Sequence, residues 1–161
     1  MNLIDIIKAR HSIRKYTDEQ ISREDLEKIL ETGNYAPSAG GGQRSMMVAL
    51  HNKELATYIG KMNMAHFDRS RLAGSYVSKE QPSTIDDPTI RNGFYGAPTV
   101  VCVFSQDNFM FRTADAFCII ENMVLQATEL GIASCIVSRG YETFASEEGR
   151  HFMEEWGVPE G

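Results

Sequence analysis

Arg10-His11-Ser12-Ile13-Arg14-Lys15-Tyr16 closes the first helical segment and gathers more charge and hydroxyl than a solvated turn needs. Arg10 and Arg14 offer planar forks of N–H donors that match phosphate oxygens, and Ser12 sets a short hydroxyl donor between them. Each charge-assisted hydrogen bond of this kind contributes about 1.5–3 kcal/mol. The same residues have a second reading. Cations at the C-terminal end of a helix over residues 3–9 offset its dipole, by roughly a few tenths of a kcal/mol per charge.

The elements on either side are plain. Upstream, Asn2 can cap a helix whose apolar Leu3, Ile6 and Ile7 share one face, with Asp5 in the favourable first turn. Downstream, Ser22-Arg23-Glu24-Asp25 reads as a capping box with Asp in the third place. Leu26, Ile29 and Leu30 follow at helical spacing, and Gly33 is expected to end this second helix. Then comes Ala36-Pro37-Ser38-Ala39-Gly40-Gly41-Gly42-Gln43, where proline, small residues and three glycines exclude regular structure. Such a backbone can approach a flat ligand closely, or serve as a surface linker. It is no Walker loop, because Gly-Lys-Ser/Thr is absent, and no dinucleotide fingerprint, because no strand precedes it.

Composition narrows the function classes. With 42% apolar and 24% charged residues in 161, the chain has the usage of one globular domain over residues 1–161. A net charge of −6 disfavours nucleic acid as a partner, so clustered arginines better suit a small anionic ligand. Cys102, Cys118 and Cys135 are widely spaced within apolar runs, which argues for small core residues rather than disulfides. The four histidines show no i, i+4 pair, so no metal site is expected. No run is long enough to cross a bilayer, and the N-terminus lacks a leader pattern; a cytoplasmic protein without membrane partners is expected.

Further along, residues 46–50 read as a buried strand and 54–59 as a short helix. Residues 61–95 read as a short helix followed by loop, broken by Pro82 and Pro88. Met62, Met64 and Phe67 there are either flap residues or ordinary packing. Pro98-Thr99-Val100-Val101-Cys102-Val103-Phe104 is β-branched and continuously apolar, as a strand covered on both faces is. Residues 114–130 form a helix apolar almost all round, either a core helix or a subunit interface. Residues 132–137 are a third expected strand, and Ser138-Arg139-Gly140-Tyr141 the turn leaving it. Ser146 can cap a last helix carrying Phe152, Met153 and Trp156, stopped by Gly157 and Pro159.

Taken together, the segments at residues 10–16 and 36–43 resemble the FMN-dependent nitroreductase family. That family has an Arg-x-Ser-x-Arg/Lys-x-aromatic segment between two helices, then Ala-Pro-Ser-x-x-Asn-x-Gln. The resemblance continues through Gly96-Ala97-Pro98-Thr99 and from Asp115 to Cys135. One departure stands out: Gly41 occupies the usual Asn position.

The resemblance implies an α+β, nitroreductase-like fold. A small mixed β-sheet would be flanked by helices, with a long buried central helix, in a homodimer whose FMN site is shared between subunits. It implies FMN as cofactor, NADH or NADPH as reductant, and a small-molecule acceptor such as a nitroaromatic or quinone. Hydride would pass through flavin N5, so no side chain is expected to be catalytic. By position, Arg10, His11 (through its backbone), Ser12 and Arg14 fall on phosphate and flavin contacts, with Arg14 at the pyrimidine edge. Pro37, Ser38 and Ala39 fall on the wall supplied by the partner, together with Gly41 and Gln43. Ser138, Arg139 and Gly140 fall on the segment facing N5 and O4. The family continues past the last helix with a strand and a basic segment, expected to be missing here. A noncatalytic flavin- or nucleotide-binding module is the alternative, and a dimeric structural protein the third reading.

Overall fold

A computed structural model of the chain describes residues 2–68 and 79–161. Its elements run α1 (Leu3–Ala9), α2 (Arg23–Asn34), β1 (Ser45–Leu50), α3 (Lys53–Ala65), β2 (Val100–Ser105), α4 (Arg112–Glu129), α5 (Gly140–Ala145) and α6 (Glu147–Glu155). β1 and β2 pair antiparallel, with Ser45 opposite Ser105 and Leu50 opposite Val100.

Alternation along these two strands divides the core. Val100, Cys102 and Phe104, with Val48 and Leu50, face Ile59 and Met62 of α3, Phe144 of α5 and Trp156. Val101, Val103 and Met47 face the other way, onto Ile29 of α2 and Met123 and Ala127 of α4. The expected covering of residues 98–104 on both faces is therefore seen, each strand residue staying half-buried. Burial pushes the Cys102 thiol up to about 12, as befits a small core residue.

Local sequence explains the helix starts. The Asn2 side chain accepts from the Asp5 amide, Asn52 from Leu55 and Ser146 from Gly149. At α2 the Ser22 Oγ accepts from the Asp25 N–H at 3.0 Å and donates to the Asp25 carboxylate at 2.7 Å.

Four expectations are corrected. Gly33 does not end α2 but lies buried inside it. A β-carbon there would stand 2.8 Å from Met47 Sδ and 3.0 Å from Met123 Cγ, so a larger residue would have to displace the methionine side chains of β1 and α4. The helix expected at residues 54–59 runs from Lys53 to Ala65, and Met62 is a core residue of it. Residues 132–137 do not form a strand among the described residues; they make one parallel bridge, Ser12 with Ser134. An extended run becomes a strand only beside a neighbour offering successive backbone groups, and here the pairing comes down to Ile13 N–H donating to Ser134 O at 2.9 Å. The sheet is thus two-stranded and antiparallel, and the parallel component is confined to that bridge. Finally, Gly140 and Tyr141 open α5 rather than closing a turn.

Replacing Gly33 by leucine should destabilise the fold by about 1–3 kcal/mol through overpacking, read as a lower urea midpoint. An unchanged midpoint would contradict the packing role given to this glycine.

Candidate functional site

The Ser12–Ser134 bridge lays the basic segment beside the loop that leads into α5. Arg10 is the residue after α1; its amide donates to Ile6 O, and its half-buried guanidinium has no hydrogen-bond or ion-pair partner among the described residues. The His11 ring is exposed, and its Nδ1–H donates to Ala9 O at 2.7 Å, which leaves the ring outside the cluster. Arg14 is held on the far side by Gln81. Its amide donates to Gln81 Oε1 at 2.8 Å and its Nη1 to Gln81 O at 3.0 Å, while its guanidinium lies 5.9 Å from the Tyr95 ring centre. Arg14 Nε is buried with no partner.

Ser12, Arg14 and Arg139 converge on the Cys135 thiol. Burial raises its pKa, and the Arg14 and Arg139 charges and the Ser12 hydroxyl oppose the rise. Burial also raises the Tyr16 hydroxyl, helped by the neighbouring Cys135 and Tyr95 and opposed by Arg14. Arg139 packs over the Phe67 ring at 4.4 Å, and its backbone carbonyl accepts from Asn63 Nδ2 at 2.9 Å. Asn63, 2% exposed, also donates to Thr143 Oγ1 at 2.8 Å and so fixes the Ser138-Arg139-Gly140 segment to α3 and α5. Ser138 is exposed in the loop, and Gly140 is the first residue of α5.

The loop of residues 37–43 stands apart. No hydrogen bond among the described residues joins it to residues 10–14 or 138–140. It is tied to the start of α4: Ala39 N–H donates to Asp115 Oδ1 at 3.0 Å, and Asp115 Oδ2 is buried without a partner. Arg44 clamps it from the other side, donating to Ala39 O at 3.2 Å and lying 4.6 Å from the Phe109 ring centre. Within the loop, a 3-10 turn at Ala39–Gly41 is closed by Gln43 N–H donating to Ser38 Oγ at 3.0 Å. Pro37 and the Gln43 side chain are exposed. Gly40 and Gly41 have φ of 61° and 65°, and a β-carbon on either would meet nothing within 4 Å, so this face is open. Asparagine tolerates such a φ, so Gly41 costs the loop a side chain and not its shape.

Asp115, Gln81 and Asn63 were not foreseen as site residues. Only Asp115 carried a signal, as an acid in the first turn of an apolar helix. Cavities border the described residues at two places of interest. One of about 490 Å³ lies at His66, Ser146, Glu147, Glu148 and His151 and includes no candidate residue. The other, of about 420 Å³, opens at Arg14 and Tyr95. We favour the second on chemistry, because acidic walls do not attract an anion.

The Nitroreductase family model matches residues 7–161. The chain belongs to the nitroreductase family. Among solved structures, a nitroreductase with bound FMN from Bacteroides fragilis is 33% identical, with a TM-score of 0.78 over 99% of this chain and 81% of that one. A nitroreductase with bound FMN from Desulfitobacterium hafniense is 29% identical, with a TM-score of 0.80 over 100% of this chain and 84% of that one. The FMN reductase [NAD(P)H] of Bacillus subtilis is 34% identical over 61 residues, 36% of this chain and 24% of that protein. A protein of Archaeoglobus fulgidus, 44% identical over 52 residues, is matched over 32% of this chain and 30% of its own length. These two alignments thus span under a third of the curated relatives' lengths.

The residues present fit a flavin mononucleotide. An unpartnered guanidinium at Arg10 and a buried, unsatisfied Nε at Arg14 flank the Ser12 hydroxyl, the donor set a phosphate and a polar ring edge require.

The raised Tyr16 pKa has a consequence for stability. Its folded value lies above the ordinary 10.0, so its contribution is intact below pH 10 and is lost as pH rises beyond that. Unfolding of wild type should therefore ease more steeply above pH 10 than that of Tyr16→Phe; parallel profiles would place Tyr16 outside the buried cluster.

Proposed function

We propose that the chain is an FMN-dependent oxidoreductase taking hydride from NADH or NADPH and delivering it to an electron-poor small molecule, such as a nitroaromatic or a quinone. The observation that carries this reading is the buried, unsatisfied Nε of Arg14 beside Ser12, with Arg10 unpartnered among the described residues, in a chain whose solved relatives hold FMN. Bound FMN supplies the hydride chemistry; the protein supplies binding, orientation and charge.

Arg10 and Ser12 hold the phosphate, with the His11 backbone beside them. Arg14, kept in place by Gln81, sets a positive charge at the pyrimidine edge, where it favours the reduced, more negative ring. Ser138, Arg139 and Gly140 present backbone groups to the reacting side, steadied by Asn63. Pro37, Ser38, Ala39, Gly41 and Gln43 complete the site of the partner subunit in a homodimer, which is why they lie away from this chain's own basic segment. Support for a dimer comes from the apolar face left outside: Leu3 is 66% exposed, Ile4 53%, Ile7 45% and Phe117 43%, on the packed pair α1 and α4. Free thiols at Cys102, Cys118 and Cys135 accord with a cytoplasmic setting.

Arg10→Ala and Arg14→Ala should each weaken FMN binding about tenfold or more, the loss of one charge-assisted contact, measured by quenching of flavin fluorescence. Wild-type affinity in both variants would refute the assignment.

A further inference from the structure

The cavity of about 420 Å³ that opens at Arg14 adjoins the residues given to the cofactor. Of those residues it is lined by Arg14 alone; Arg10, Ser12, the 37–43 loop and residues 138–140 take no part in its wall. Among the described residues its remaining charges are Lys15, Arg91 and one carboxylate, Asp87, and its apolar wall is built from Pro82, Ile90 and Tyr95. We propose that this cavity is an anion subsite, in which Lys15 and Arg91 receive a carboxylate or phosphate borne by the planar molecule that exchanges electrons with the protein.

Three observations carry this. The cations are not neutralised from within: Lys15 has no hydrogen-bond or ion-pair partner among the described residues, Arg91 Nη1 donates only to the Pro88 carbonyl, and Arg14 donates to the neutral Gln81. Asp87 Oδ1 is turned instead to Thr89, accepting from its amide at 2.8 Å and its hydroxyl at 2.6 Å. And a cavity with three cations against one carboxylate is a local exception in a chain of net charge −6, so its field focuses on a small anion rather than a large polyanion. The apolar wall beside the cations suits a ring that carries the charged group.

The inference rests on the flavoenzyme reading, and two sources share this chemistry: a carboxylate on the acceptor or a phosphate of the nicotinamide nucleotide. The test is a calorimetric titration of benzoate and of benzamide into the full chain, with and without FMN, for wild type and Lys15→Gln/Arg91→Gln. Benzoate binding should weaken roughly three- to tenfold in the double variant, since each partly exposed ion pair contributes up to about fivefold. It should also weaken as salt shortens the screening length to about 3 Å near 1 M. Benzamide binding should change less than about twofold. Steady-state KM values then assign the source: the double variant raises KM for 4-nitrobenzoate if the acceptor seats there, or for NADH and NADPH if the nucleotide does. Equal benzoate affinity in the two proteins overturns the subsite. Benzoate held through these cations by a chain that no pyridine nucleotide reduces overturns the flavoenzyme reading and leaves the subsite standing.

Discussion

The antiparallel pairing of Ser45–Leu50 with Val100–Ser105 is the constraint from which the rest of the arrangement follows. Two strands alone cannot bury much, and each would expose a face to water unless helices covered it. Alternation of side chains sends Val100, Cys102 and Phe104 to α3, α5 and α6, and Val101 and Val103 to α2 and α4. Chain segments that leave these two layers are then brought to common places. The end of α1 meets residues 134–139 at the single Ser12–Ser134 bridge, and the glycine-rich loop after α2 is pinned to the start of α4 through Asp115.

That geometry separates two groups of residues that adjoin in sequence order. Ser12 and Arg14 gather with Arg139 around Cys135, whereas Pro37 to Gln43 are tied to Asp115 and Arg44 and leave an open face at Gly40 and Gly41. In a lone chain the second group would have nothing to line. On the proposed reading, a dimer built on the exposed apolar side of α1 and α4 would let this loop serve the neighbouring subunit's cofactor. Arg14, Lys15 and Arg91 come together at one cavity although the chain as a whole carries a net charge of −6.

Much of this was legible in the chain itself. Helix starts at Asn2, Ser22 and Ser146 were readable because a side-chain cap is a local interaction, fixed by residues three apart. The apolar run from Val100 to Phe104 named its own strand because it needs cover on both faces. What sequence did not disclose depends on distant partners. Residues 132–137 have the composition of a strand yet, among the described residues, share one backbone hydrogen bond with the neighbouring segment at Ile13, since pairing is decided by the neighbour. Gly33 has the look of a stop signal, and its true role appears only when Met47 and Met123 arrive. Gln81, which orients Arg14 across 67 residues of chain, left no mark at all. The basic segment itself was readable as a donor set; that Arg14 Nε stays unpaired in the folded chain, and Arg10 unpartnered among the described residues, depends on distant packing and could not be read.

On the proposed function, the donor set at Arg10, Ser12 and Arg14 holds a redox-active flavin. This is tested most directly by the visible absorption spectrum of the purified protein after FMN is added and unbound flavin removed, followed anaerobically as NADH and then NADPH are titrated in. A redox-active flavin site gives a retained flavin band that bleaches with one or both nucleotides and returns on adding a quinone. A protein that retains no flavin, or retains it unreduced by either nucleotide, would contradict that assignment.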